Sequence, residues 1–212
     1  RRQPFPGPGL SVRTVGIISS EKLGVEKKAN DIVEQMVDEY TQELYGVNLY
    51  IDPKRGMQIP FQSFAATFDG RLMGAPAEAK DLLKEKLGKD VSCNVLDVDV
   101  TGVKDGGRVY ARPLCIESDV DLDYDILRAV GSEVPVKTGL SRVLYNLSSG
   151  VASSKYLVAV RSVNSVDAMT ARVNEIPLKT LRRIADEVVK RCDVGGVYWD
   201  ISPKPPATIE YE

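Results

Sequence analysis

Apolar residues recur at helical spacing early in the chain. Ala29, Ile32, Val33, Met36, Val37, Tyr40 and Leu44 form one stripe of an amphipathic helix that ends near Gly46. Ser19 or Ser20 can cap its start, and Glu21 sits in the first turn, where the helix dipole favours an acid. The stripe is a core face and not a cofactor-binding surface. Residues 12–18 read as a short strand before it, and 47–51 and 58–68 as strands around the turn at 52–56. Residues 76–87 form a short charged helix with Leu82, Leu83 and Leu87 on one side. From Val91 the period changes to two: Val95, Asp97, Asp99 and Thr101 share one parity, Leu96, Val98 and Val100 the other, which predicts one wet and one dry face. The chain then turns tightly at 104–107 and returns as a partner strand over 108–116.

The second half reads as an internal repeat. Tyr110, Val120 and Asp121 reappear as Tyr156, Val166 and Asp167, and Val143, Leu147 and Ser148 as Val197, Ile201 and Ser202. Each copy runs strand, loop, helix, strand. Leu122, Ile126, Leu127 and Val130 make the first helix stripe; Leu178, Leu181, Ile184, Ala185, Val188 and Val189 make the second, after Pro177. Helix stripes over half-buried antiparallel strands predict a two-layer α+β fold, with two repeated units burying one another's faces as a pseudo-dimer. The expected division is a hinge and linker strand at 1–19, a helix and strand insertion of uncertain role at 20–90, a first repeat at 91–150 and a second repeat with a C-terminal tail at 151–212.

Composition narrows the chemistry. A formal net charge of −2 over 212 residues gives no global drive toward nucleic acid or an anionic membrane, so any anion site must be local. There is no histidine, which removes the commonest general base and metal ligand. Cys93, Cys115 and Cys192 lie far apart and in no C-x-x-C spacing, so they read as buried thiols and support neither zinc nor a disulfide framework. No apolar run is long enough to span a bilayer and no signal-peptide pattern opens the chain, so the expected location is cytoplasmic. Because it begins with Arg1 and opens on a Pro-Gly linker, the chain reads as a piece of a longer protein.

Two terminal stretches carry the most specific signals. Pro4 to Gly9 alternate proline and glycine, a bent connection in which Pro6, Gly7, Pro8 and Gly9 can act as a hinge or let the backbone approach a ligand. Near the other end, Pro203, Pro205 and Pro206 fix the backbone around Lys204, so its cation spends little entropy on being placed against an anion such as a phosphate. A solvated tail is the plainer reading of the same residues.

Together, RQPFPGPGL at the start and SPKPPATIEYE at the end resemble the C-terminal, dimerisation and XMP-binding part of glutamine-hydrolysing GMP synthase. The stretch TGVKDGGRVY at 101–110 is similar to that family's V-G-V-x-G-D-x-R-x-Y hairpin. Arg161-Ser162-Val163 and Asp167-Ala168-Met169-Thr170-Ala171 are similar to its R-A-V and D-x-M-T-A segments. Residues 20–95 fit the resemblance poorly. It implies that the intact enzyme uses ATP and Mg to adenylylate xanthosine monophosphate (XMP), lets ammonia displace AMP, and makes GMP.

On that resemblance, Arg108 and Lys204 contact the nucleotide phosphate, and Ile209 and Glu210 belong to the nucleotide pocket, with Gln58 in Met57-Gln58-Ile59-Pro60 as a further contact. Gly106 stands where the family has an acid, with Asp105 one position away. Asp167 and Thr170 read as a turn or helix cap. There is no P-loop, no S-G-G-x-D-S loop and no Cys–His pair. These residues alone are therefore expected to be inactive, with no catalytic residue, metal or cofactor of their own. Their expected partners are XMP or GMP, the ATP-pyrophosphatase and glutaminase domains or subunits, and another copy of the chain, with no nucleic acid and no membrane. Two other classes fit the pattern: a pure interaction module, and a KH-like RNA-binding domain, which the acidic balance and the missing G-x-x-G loop oppose.

Overall fold

The computed structural model describes residues 9–46, 51–52, 57–58, 61–151 and 153–212, with the backbone alone at 45, 51, 52, 57, 58 and 61. The Ser19 hydroxyl accepts the Lys22 amide to start α1 (Ser20–Tyr45), and Gly46 closes it at a φ of 70°. Ala29, Ile32, Val33 and Val37 are buried, but Leu44 is 54% exposed, so the apolar stripe ends before the helix does. The other helices are α2 (Ala77–Leu87), α3 (Tyr124–Thr138) and α4 (Leu178–Arg191). Asp123 caps α3 by accepting the Ile126 amide.

The strands are β1 (Ile51–Asp52), β2 (Met57–Gln58), β3 (Phe61–Asp69), β4 (Leu72–Gly74), β5 (Ser92–Leu96), β6 (Val100–Lys104), β7 (Gly107–Ala111), β8 (Leu114–Glu117), β9 (Val143–Ser149), β10 (Tyr156–Asn164), β11 (Arg172–Val173) and β12 (Gly196–Asp200). One sheet runs β3, β10, β12, β9, β8, β5, β4, with β11 against the end of β10 on the side away from β3. The fold is α+β, as expected, and its sheet is mixed. β8 and β9 are parallel because α3 carries the chain back across the sheet, and α4 does the same for β10 and β12. The two crossover units meet through the antiparallel pair β9/β12. β3, from the stretch expected to be an insertion, pairs with β10 along its whole length.

Several local expectations fail for identifiable reasons. Residues 12–18 are not a strand: a 3-10 helix at Leu10–Arg13 is followed by a single bridge from Thr14 to Thr67, and Gly16, at φ 82°, turns the chain away. Gly9 caps that 3-10 helix at an ordinary φ of −59°, while the hinge residues Pro6, Gly7 and Pro8 lie outside the described residues. The expected strand at 47–51 and turn at 52–56 fall largely outside them too. The alternating run after Val91 is broken at 97–99, where Asp97 pairs with Arg71 and Arg112, and Thr101 is buried, not wet. The return strand splits into β7 and β8 at Pro113, which has no N–H for a ladder.

Alternation along the sheet separates two cores. Val158, Val160, Val197, Trp199, Val143 and Tyr145 face the helices. Leu157, Ala159, Tyr198, Leu144, Phe64 and Phe68 face the other way, where Val15 and Tyr211 cover them. Arg161 and Asp200 fall on this second parity, so the helix-free face of the sheet receives the C-terminal tail. The three cysteines are buried and free.

Candidate functional site

The hairpin of β6 and β7 leaves the main sheet and, among the described residues, pairs with itself and the tail. Its two-residue loop, Asp105 at φ 51° and Gly106 at φ 77°, has the positive-φ pair that matches the twist of a tight hairpin. Val103 N donates to the Pro206 carbonyl at 2.6 Å and Thr101 N to the Tyr211 carbonyl at 2.9 Å, so the tail lies along β6. A side chain at Gly102 would meet the Pro206 carbonyl at 3.2 Å, which explains why glycine serves there. The peptide bonds at Lys204–Pro205 and Pro205–Pro206 are cis.

Beneath the tail, two arginines share one acid. Arg142 and Arg161 each place a terminal nitrogen 2.8 Å from Asp200 Oδ2, and all three side chains are fully buried. Tyr211 donates its hydroxyl to the same oxygen at 2.7 Å, and Ser202 N donates to the other. Burial alone would raise the Asp200 carboxyl, but Arg161, Arg142 and the Tyr211 hydroxyl hold it below the ordinary range. Other guanidinium donors go to acceptors of the tail and of β6, while the buried Arg142 Nε has no partner among the described residues. Arg161 reaches the carbonyls of Ser202, Thr208 and Ile209, and Arg142 those of Thr101 and Glu210. Arg142 also stacks 3.9 Å over the Tyr211 ring.

On the α1 side of the tail, Glu210 accepts from Gln62 at 2.6 Å and pairs with Arg13 at 3.4 Å. Arg13 also donates to Asn30 at 3.0 Å and pairs with Glu34 at 3.6 Å. One helical turn away, Glu26 is fully buried; Thr67 donates to one of its oxygens and the other has no partner. Burial raises its carboxyl to about 8, against the smaller pull of Thr67 and Arg13.

On the hairpin side, a cleft of about 660 Å³ opens between the β6–β7 turn, the end of α3, the loop at 169–170 and Pro205–Pro206. Lys104, Arg108 and Lys204 reach it, and Val136 and Met169 line it with apolar surface. Neither the Lys104 nor the Arg108 side chain has a hydrogen-bond or ion-pair partner among the described residues. Lys204 Nζ donates to the Ala168 carbonyl at 2.7 Å.

Arg108 and Lys204, far apart in sequence, thus line one cleft. Ile209 and Glu210 do not line it; Glu210 is partly buried and paired with Gln62 and Arg13. The Gln58 side chain lies outside the described residues. Asp167 caps the turn before Thr170, accepting its amide at 2.9 Å. Sequence reasoning missed Arg142, Asp200, Tyr211 and Arg13. Arg142 and Asp200 left a signal, since each is a lone charge at the edge of an apolar strand, in Arg142-Val143-Leu144-Tyr145 and Val197-Tyr198-Trp199-Asp200. Ser141, a cleft residue whose buried hydroxyl has no partner, left none.

Among the described residues, no helix is long and apolar enough to cross a membrane. Comparison with known proteins matches residues 152–211 to the model of the GMP synthase C terminal domain. Over its whole length the chain is 33% identical to 48% of a glutamine-hydrolysing GMP synthase subunit of Saccharolobus islandicus (strain M.14.25 / Kamchatka #1), and 34% identical to 48% of the corresponding subunit of Saccharolobus solfataricus. The corresponding subunit of Methanopyrus kandleri is similar at 30% identity, with 41% of its length covered. The chain spans about half the length, or less, of these curated relatives.

Proposed function

This chain belongs to the family of the C-terminal domain of GMP synthase, and from that premise we propose that it binds the phosphate end of xanthosine monophosphate in the cleft between hairpin and tail. The observation that carries the proposal is the meeting of Arg108 and Lys204 there, from two motifs distant in sequence. Arg108 is unpaired, and a guanidinium at a hairpin turn can hold a phosphate with two parallel bonds. Lys204 spends one of its three donors on Ala168 and keeps the others for a ligand. Glu210, which pairs with Arg13, and its neighbour Ile209 are the proposed second group of contacts, with Gln58 as a further one. Such contacts act by positioning the nucleotide, as fixed charges held against its phosphate.

ATP-dependent activation, glutamine hydrolysis and amination belong, in this proposal, to the intact protein and its other domains or subunits. The names of the relatives, glutamine-hydrolysing GMP synthase subunits, support that division. The present residues supply phosphate recognition and assembly, and no turnover alone. We further propose that β8–α3–β9 and β10–α4–β12 are copies of one unit, joined across β9/β12 as an internal pseudo-dimer.

The test is calorimetry with XMP and with its nucleoside, xanthosine, on the full-length protein. Lys204→Ala and Arg108→Ala should each weaken XMP at least about tenfold, the scale of a lost charge-assisted hydrogen bond. Xanthosine binding should change little. Unchanged XMP affinity in both variants would remove the phosphate assignment.

A further inference from the structure

The loop between β10 and β11 grips Lys204 three times. The backbone of Lys204 exchanges hydrogen bonds with Ala171, at 2.9 and 3.0 Å, and its ammonium donates to the Ala168 carbonyl at 2.7 Å. That carbonyl belongs to the Ala168–Met169 peptide unit. On the opposite edge of the same planar unit, Met169 N donates to Asp167 Oδ1 at 2.9 Å. In a trans peptide the C=O and N–H point in opposite directions, so fixing one aims the other. Asp167 Oδ1 also accepts the Thr170 amide at 2.9 Å and the Thr170 hydroxyl at 3.2 Å, while Ser165 Oγ accepts the Ala168 amide at 2.9 Å. Ala168 itself sits at φ 57°, a left-handed conformation that an alanine holds only when its neighbours impose it.

Resting on the phosphate reading above, we propose that Asp167 is a positioning residue for the nucleotide phosphate: through the Ala168–Met169 peptide it aims the Lys204 ammonium into the cleft. Asp167 is exposed and touches no cleft cation itself. Its role is to fix the direction of that carbonyl, which narrows the rotamers from which a long lysine side chain meets the phosphate. The acceptor geometry, and not the negative charge, is what the peptide requires. The Thr170 amide, then burial in the opposite sense, then the Met169 amide account for a carboxyl held below its ordinary range, consistent with an acceptor saturated by donors.

The experiment is a double-mutant cycle in the full-length protein, read by XMP and xanthosine titrations. Asp167→Ala is expected to weaken XMP about fivefold and leave xanthosine unchanged. Asp167→Asn, whose amide oxygen can accept the same N–H, should stay within about twofold of the parent. In a Lys204→Ala background, Asp167→Ala should have no further effect. Additive losses would overturn the inference while sparing the phosphate reading, because they would show that Asp167 acts apart from Lys204. Equal losses in Asp167→Ala and Asp167→Asn would also overturn it, by showing that charge and not turn geometry matters. A silent Lys204→Ala would overturn this inference, and only together with a silent Arg108→Ala would it take down the phosphate reading as well.

Discussion

Glu26 shows how one residue can set a whole protein's response to pH. Its carboxyl titrates near 8 in the fold, mainly because burial disfavours the anion, and near 4.5 when free. Between those values the folded state holds a proton that the unfolded state has released, so stability falls as pH rises through this window and levels off above it. Glu26→Gln removes that linkage. The variant should unfold at higher denaturant than the parent at pH 8, by on the order of a few kcal/mol, and match it near pH 4. Urea titrations across pH check this, and parallel curves for parent and variant would contradict it. Residue-scale legibility is uneven for a physical reason. Lys204 can be read because flanking prolines restrict it locally, and Arg108 because it follows a turn of Asp and Gly. Glu26 and Arg13 cannot, because their environments are built by β3 and the tail, which only the tertiary fold brings to them.

At the scale of elements, α3 is held by a contact that no helical periodicity reveals. A methyl group at Gly131 would lie 2.1 Å from the Ile201 carbonyl, so the helix rests directly on the strand's backbone. Gly131→Ala should therefore destabilise by about 1–3 kcal/mol despite its better helix propensity, because the clash is with backbone that cannot rotate away. Thermal unfolding measures this; a stabilised variant would mean the helix can lift without cost. Since α3 also carries Pro135 and Val136 into the cleft, the same substitution should weaken XMP binding. The elements easiest to read are those with self-contained signals: α1 with its serine cap and closing glycine, α4 after Pro177, and the Asp105–Gly106 turn. The stretch at 12–18 resembles a strand in its pattern alone, because Val15 is buried but Ile17 and Ile18 are exposed and the bridge is made by Thr14, and β7 merges with β8 in the sequence because apolar alternation runs on across Pro113.

For the whole molecule, the two crossover units and their β9/β12 seam define what the chain can do with other copies of itself. If the seam replaces a contact that single-unit relatives would make between subunits, that surface is already used. Light scattering of the full-length protein should give a monomer, or a dimer whose contact lies away from β9 and β12; a dimer broken by substitutions on those strands would contradict it. The order of the helices and the α+β class are legible in the sequence, but parallel pairing within each unit is not, because periodicity records which face is buried and not which way a neighbouring strand runs. The buried arginines add a consequence for how the protein is made. Arg142 and Arg161 sit in separate units, yet both depend on Asp200 and on acceptors at 202 and 208–210. On the ribosome, both units emerge before those acceptors do, and a chain stopped short of residue 208 carries two guanidinium groups that cannot be buried without large cost. A chain truncated before residue 208 is therefore expected to be cut faster by an added protease than the complete one, and the segment that borders the proposed phosphate cleft also closes the fold that bears it.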